Sequence, residues 1–323
     1  MKNIIRYDGI ICLVLLMTGV SCNKGELPVL TTADITKITT TSAVTGGNII
    51  SDGGSTITAR GVCYNTSGNP TIANTRTLDG TGSGSFTSDL SLLVPGTYYT
   101  VRAYATNSAG TAYGNEVSFV TSKIITGTVD DIEGNSYRTV TIGNQVWMAE
   151  NLKTTRFNDG TEIPLVSGNT EWKSLNTPGY CWYNNDEAAN KPVYGALYNW
   201  YAVASGKLCP AGWRIPSNDQ WKTLTTFLGG EYLAGDKLKE EGSEHWKHFN
   251  DKSTNESGFT ALPGGSRIDG SYVLIGEMGA WWASTSFSEE EAYLRELDDF
   301  VTEVLSGYLN KKYGFSVRCI KNN

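Results

Sequence analysis

Leu93-Val94-Pro95-Gly96-Thr97-Tyr98-Tyr99-Thr100-Val101-Arg102-Ala103-Tyr104-Ala105 is the stretch that decides the reading of the N-terminal part of the chain. Pro95-Gly96 is a turn signal. After it, Tyr99, Val101, Ala103 and Ala105 recur with period two, the pattern of a strand with one face toward a core. Upstream, Gly47-Asn48-Ile49-Ile50 runs into the turn Ser51-Asp52-Gly53-Gly54, and Thr58 to Tyr64 reads as the next strand. A Gly-rich loop from Asp79 to Gly84 precedes Phe86. Short alternating runs punctuated in this way predict an antiparallel β-sandwich over residues 28–121. The Gly80-x-Gly82-x-Gly84 loop is not followed by the helix that phosphate binding needs, and reads as a flexible hairpin loop.

The piece Leu93-x-Pro95-Gly96-Thr97-x-Tyr99 resembles the tyrosine corner of fibronectin type III domains, in which the tyrosine hydroxyl bonds back to backbone a few residues upstream. The resemblance implies an all-β immunoglobulin/fibronectin III-like sandwich, a module most often used as a spacer.

At the start of the chain, Met1-Lys2-Asn3-Ile4-Ile5-Arg6 is a short basic segment, followed by an apolar run from Gly9 to Val20. That run is too short to span a bilayer comfortably and has the length of a signal-peptide core. Thr18-Gly19-Val20-Ser21-Cys22 then resembles a bacterial lipoprotein signal, which implies removal of residues 1–21, lipidation of Cys22, and 22–27 as a linker. An ordinary secretory signal with an incidental cysteine is the alternative. The expected address is the cell envelope, lipid-anchored, in the outer membrane.

Formal net charge is −7 and the sequence pI about 5.0. Residues 23–122 are close to neutral, so the negative charge lies in the C-terminal part. An acidic exported domain without a basic patch argues against nucleic acid as a partner. All nine tryptophans lie between Trp147 and Trp282. Such density means a large aromatic core, an aromatic binding surface, or both.

In that C-terminal part, Thr139 to Leu152 reads as two strands about Gly143-Asn144, after a turn at Asp130-Tyr137. Tyr194 to Val203 reads as a short helix. Ser217-x-x-Gln220 is a capping box, with Trp221, Leu224 and Leu228 on one helical face and Gly229-Gly230 as the stop. Loops and short strands are expected thereafter, making an α+β domain. Of Cys181, Cys209 and Cys319, at most one pair can form; Cys63 sits in a strand pattern and reads as a buried thiol.

Several ordered motifs carry a second resemblance: Thr141-Ile142-Gly143-Asn144-Gln145-Val146-Trp147-Met148-Ala149-Glu150-Asn151-Leu152, Gly179-Tyr180-Cys181-Trp182-Tyr183-Asn184-Asn185-Asp186, Tyr194-Gly195-Ala196-Leu197-Tyr198-Asn199-Trp200, Cys209-Pro210-Ala211-Gly212-Trp213-Arg214-Ile215-Pro216, Trp281-Trp282-Ala283-Ser284-Thr285 and Gly314-Phe315-Ser316-Val317-Arg318-Cys319. Together they resemble the Fibrobacter succinogenes major paralogous domain, over 124–321. Its occurrence in bacterial surface proteins implies a surface role here. Trp213 to Trp221 with the Gly314–Cys319 motif also resembles the formylglycine-generating enzyme fold, related to C-type lectins. That implies a C-type-lectin-like α+β architecture with neighbouring termini and a Cys209–Cys319 disulfide; the alternative is three free thiols. A bridge closing so long a loop is worth about 4 kcal/mol in the chain-entropy model.

Catalytic chemistry finds little support. Residues 282–313 lack the paired copper cysteines of the formylglycine-generating enzymes, and no Gly-x-Ser-x-Gly elbow occurs. His245 and His248 read as members of a polar loop, and Asn184-Asn185-Asp186-Glu187 and Asp298-Asp299 as solvated loops or caps. Neither a metal nor a cofactor is assigned. Aromatic recognition remains, with Trp182, Tyr183, Asn185, Trp246, Arg267, Tyr272, Trp281 and Trp282 as candidate ligand-binding residues. Of adjacent Trp281 and Trp282, one is expected in the core and one exposed. The expectation is a non-catalytic, lipid-anchored surface protein presenting a lectin-like domain to a glycan or a surface protein. A structural or assembly protein of the envelope is the first alternative, and an enzyme acting on extracellular polymers the second.

Overall fold

The computed structural model describes residues 25–248 and 252–322, so the lipidation expected at Cys22 lies outside the described residues. The chain divides into two compact units: 25–34, Thr45–Asp89 and Thr100–Ser118 form the first, and Ile35–Val44, Leu90–Tyr99 and 119–322 the second. Among the described residues, no helix is long and apolar enough to cross a membrane.

The N-terminal strands are β1 (Val29–Thr32), β2 (Ala43–Ser51), β3 (Ala59–Asn65), β4 (Thr75–Arg76), β5 (Gly84–Leu90), β6 (Tyr98–Asn107), β7 (Gly110–Tyr113) and β8 (Val117–Val120). They make two sheets, ordered β1-β2-β5 and β4-β3-β6-β7, with β8 also on β6. The sheets approach closely enough that a Cβ on Gly47 of β2 would lie 2.6 Å from the Ala103 Cβ of β6. Val62, Cys63, Val101, Ala103 and Ala105 are fully buried between them. This is an all-β sandwich. In the second unit, the Tyr99 hydroxyl accepts the Val94 amide at 3.0 Å, the corner geometry that the Pro95-Gly96 turn prepares.

The C-terminal part begins with β9 (Ile125–Asp130), β10 (Ser136–Ile142) and β11 (Gln145–Met148). The β10–β11 turn is two residues long, with Gly143 at its first central position and φ +62°, where a glycine carries no Cβ penalty. Then come α1 (Asn169–Ser174), β12 (Tyr180–Cys181), α2 (Glu187–Asn190), β13 (Leu197–Tyr198), α3 (Trp200–Ala204), β14 (Trp213–Arg214), α4 (Asn218–Phe227) and α5 (Glu231–Leu238). Strands β15 (Gly264–Ile268), β16 (Ser271–Ile275), β17 (Met278–Ser286), β18 (Glu291–Asp298), β19 (Leu305–Asn310) and β20 (Ile320–Lys321) complete the chain. β20 lies between β14 and β11 in the sheet β14-β20-β11-β10-β9, so the first and last strands of this part share one sheet. β17-β18-β19 form a separate antiparallel sheet.

Two local readings need correction. The helix expected over Tyr194–Val203 starts only at Trp200, capped by the Asn199 side chain on the Ala202 amide. Gly195 is left-handed (φ +72°) and packs where a Cβ would meet the Leu152 carbonyl at 2.6 Å, and Leu197-Tyr198 is spent on pairing with Tyr180-Cys181. Helix α5 was not foreseen after the Gly229-Gly230 stop; its buried side is only Ala234, Gly235 and Leu238, too small a stripe to register as periodicity. The capping box at Ser217–Gln220 is present in both directions.

β17 is covered on both faces. Trp282 points into one core with Phe315, rings 4.8 Å apart, while Trp281 points into another with Trp147, Trp221 and Phe259. Alternation on the strand is as expected, but both rings are buried, because Trp282 shares a core with Ala202 and Val203 of α3 and Trp281 shares one with Trp221 and Leu224 of α4.

The motif segments meet at Asn151. Its Oδ1 accepts from Trp281 Nε1 and from Arg318 Nε, each at 2.8 Å. Its Nδ2 donates to the Tyr194 carbonyl at 2.9 Å and to Ser316 Oγ at 3.2 Å. Asn151→Ala would orphan two buried donors, one charged, and is expected to lower unfolding free energy by about 3 kcal/mol or more, checked by urea titration. Cys209 and Cys319 form a disulfide, with Cα atoms 5.9 Å apart and 110 residues of separation. Replacing both by alanine is expected to cost about 4 kcal/mol by the same measurement.

Candidate functional site

The eight candidate residues separate into a buried set and a converging set. Trp182 is buried, edge-on to Tyr180 and beneath the Lys191 ammonium at 5.3 Å. Trp246 is buried with Nε1 donating to the Ala261 carbonyl at 3.2 Å. Trp281 donates to Asn151 and Trp282 to the Tyr198 carbonyl, so all four indoles belong to the core and offer no face to a ligand. Their motif positions mark packing: three of the four indole N–H groups have internal acceptors, and Trp182 is held by ring contacts alone.

Tyr183, Asn185, Arg267 and Tyr272 do come together. Arg267, on β15, is fully buried, with its guanidinium between the rings of Trp172 (4.6 Å) and Tyr272 (4.7 Å). It donates to the carbonyls of Val166 (2.6 Å), Ser167 (2.9 Å) and Gly270 (3.1 Å) and to Asn169 Oδ1 (3.0 Å). Arg267 is therefore a bracing residue rather than a ligand contact. It ties the loop before α1 to the β15–β16 hairpin.

Above it, Tyr272 is half-buried and its hydroxyl donates to Asn185 Oδ1 at 2.7 Å, while Asn185 Nδ2 donates to the Ser167 carbonyl at 3.3 Å. The Tyr183 ring, 5.3 Å from that of Tyr272, is buried in the small core with Trp172 and Cys181, so Tyr183 is a packing residue rather than a ligand contact. Burial pushes the Tyr272 phenol above its ordinary range, and the adjacent Cys181 adds to the shift. Cys181 itself is fully buried and free, and burial pushes its thiol up to about 11, so it is protonated at neutral pH.

Left-handed backbone concentrates around this pair: Asn184 (φ 51°), Asn185 (56°), Asp269 (49°) and Leu274 (63°). Asn and Asp tolerate that region. Leu274 does not, and it is exposed, so no burial of its side chain offsets the strain. Asn185 and Tyr272 thus offer a held amide and phenol edge, suited to recognition by hydrogen bonding and ring stacking, and Leu274 lies two residues further along β16. Leu274 was absent from the sequence candidates, because neither its type nor its spacing announces a positive φ.

The polar candidates disperse. Asp186 caps α2 through the Ala189 amide, Glu187 pairs with Lys191 at 2.9 Å, and Asp298 accepts the Phe300 amide. The two histidines diverge: His248 pairs with Asp299 at 2.5 Å, whereas His245 turns to Glu240 at 2.9 Å.

The C-terminal part is a domain of short helices on antiparallel sheets. The chain belongs to the Fibrobacter succinogenes major domain family, whose family model matches residues 140–321. No curated protein matches the chain. Similar solved structures include the sensor domain of the anti-sigma factor RsgI4 of Pseudobacteroides cellulosolvens (18% identity, 30% of this chain, 95% of that one, TM-score 0.23). The chicken CNTN1 FN1–FN3 domains (19%, 31%, 33%, TM-score 0.25) and a fourth FNIII domain of human origin (20%, 33%, 88%, TM-score 0.26) are similar to a comparable extent.

Arg267→Lys keeps the charge but loses the planar fork and both ring stacks. The expected cost is about 2–3 kcal/mol, with the Tyr272 hydroxyl no longer held against Asn185, measured by denaturation and by the Tyr272 ring resonances in NMR.

Proposed function

We propose that this protein is a non-catalytic, lipid-anchored component of the bacterial cell surface, in the outer membrane, whose C-terminal domain binds a glycan or surface-protein ligand. In this reading the C-terminal part has C-type-lectin-like architecture, supported by the shared sheet of its first and last strands and by the Cys209–Cys319 bridge. The sandwich is a fibronectin III-like spacer, supported by the Tyr99–Val94 corner. Anchoring rests on the signal-like sequence ending at Cys22.

The observation that carries the binding reading is the strained, exposed Leu274 on β16, two residues from Tyr272 of the braced Tyr272–Asn185 pair. Holding an exposed leucine at positive φ costs about 1–2 kcal/mol. Backbone strain of this kind gathers at ligand sites. A sugar ring fits the chemistry: an apolar face for Leu274 and the phenol, and hydroxyls for the Asn185 amide.

Retention on an immobilised polysaccharide panel tests this. Tyr272→Ala and Leu274→Ala are expected to reduce retention at least tenfold with unchanged far-UV circular dichroism, and equal retention by wild type and variants would refute the site. A protein-docking reading is favoured by a second surface. Phe287 and Tyr308 are both exposed and stack at 3.7 Å, beside Tyr293, with Tyr308 on edge strand β19. Cross-linking in intact cells through Tyr308 is expected to capture a neighbour if that reading holds.

A further inference from the structure

The segment Lys239-Glu240-Glu241-Gly242-Ser243-Glu244-His245 leaves α5 and turns back on itself, with Gly242 at φ +87°. The turn brings Glu240, Glu244 and His245 to one spot: one ligand atom from each lies within 4.8 Å of the others. His245 Nδ1 is 2.9 Å from both carboxylate oxygens of Glu240. We propose that these three residues form a binding site for a first-row divalent cation, with zinc as the reference ion.

Charge balance is the first argument. Two carboxylates converge here, and Glu240 is largely withdrawn from water, with its side chain 15% exposed. Among the described residues, the ion pair recorded for Glu240 is with His245. The lysines nearest in sequence are turned elsewhere. Lys237 pairs with Glu256 and Lys247 with Glu277, while Lys239 donates to the Val301 carbonyl and sits over the Trp246 ring. A divalent cation would offset the converging carboxylates and use all three groups as ligands.

Geometry is the second. Zinc takes nitrogen and carboxylate oxygen at about 2.0–2.2 Å, which places tetrahedral ligand atoms about 3.3 Å apart. The Glu240–His245 separation of 2.9 Å is within a few tenths of that, so the pair opens slightly around an ion without backbone movement. Glu244 is exposed and swings in as the third ligand, leaving one position to solvent.

The surroundings hold His245 in place. The Tyr194 ring meets it edge-on at 5.8 Å, the next residue, Trp246, is pinned through its indole to Ala261, and the Lys247 amide donates to the Gly276 carbonyl at 2.7 Å. A metal-bound imidazole needs such orientation.

The donor set selects the ion class. One imidazole nitrogen and two carboxylates suit zinc, cobalt, manganese or iron, while calcium calls for a cage of six or more oxygens. Reading the sequence for a His245–His248 pair misses this site, because the partners of His245 are Glu240 and Glu244 and His248 belongs with Asp299.

The test is calorimetric titration of the untagged, chelator-stripped full-length chain with zinc chloride. One equivalent is expected to bind. His245→Ala should abolish that binding, Glu244→Gln should weaken it at least tenfold, and His248→Ala should leave it unchanged. Glu244 is exposed, so its variant tests the site independently of folding. Cobalt(II) should give the intense visible bands of a low-coordinate site, and calcium should give no heat. Absence of saturable zinc binding, or binding that survives both His245→Ala and Glu244→Gln, overturns the assignment.

Discussion

The C-terminal part is organised around one side-chain amide. Asn151 accepts from a buried indole and a buried guanidinium and donates to a carbonyl and a hydroxyl, and these four partners come from three motifs far apart in sequence. A carboxamide is the one neutral side chain with both a double acceptor and two donors. Aspartate would lose both donors and alanine everything. The arrangement also sets the path of the last strand, since Arg318 and Ser316 lead directly into the disulfide at Cys319 and then into β20. Closing the sheet with the final strand therefore depends on satisfying this amide.

Three arginines, Arg267, Arg295 and Arg318, are buried in this part, and the bonds they make run to carbonyls and one or two amide oxygens. Burial pushes the Arg318 guanidinium down to about 9, which still leaves it charged at neutral pH. Carbonyl cradles of this type hold a guanidinium inside the domain without a carboxylate partner. Arg267 and Arg318 join segments that have no regular structure to pair through, whereas Arg295 on β18 reaches the start of α4 at Asn218. The Arg267 cradle is what gives Tyr272 and Asn185 their rigid backing.

Local signals in the sequence translated well. The capping box at Ser217–Gln220, the Gly143 hairpin and the Tyr99 corner each involve residues a few positions apart, whose geometry is fixed by backbone sterics. Exposure did not translate. Period-two alternation says that Trp281 and Trp282 face opposite ways, but only the packing of other elements decides that both faces are covered. Tyr194–Trp200 carries helix-forming residues, yet Gly195 must be left-handed beside the Leu152 carbonyl, and the pairing of Leu197-Tyr198 overrides propensity. Of the candidate surface, Asn185 and Tyr272 are readable from the sequence as amide and aromatic candidates, whereas Tyr183 is buried. Leu274 is not readable, since backbone conformation at a single exposed leucine leaves no compositional trace.

Seven of the nine indoles, those of Trp147, Trp172, Trp182, Trp221, Trp246, Trp281 and Trp282, are buried, with Trp200 and Trp213 partly exposed. The intrinsic emission of this protein is therefore a gauge of core integrity, blue-shifted and poorly accessible to aqueous quenchers. It is largely deaf to events at the surface. Occupancy of the Tyr272 surface has to be followed by methods that do not depend on indole light. An emission change on adding a ligand would report on the partly exposed Trp200 or Trp213, or on altered packing around the aromatic core.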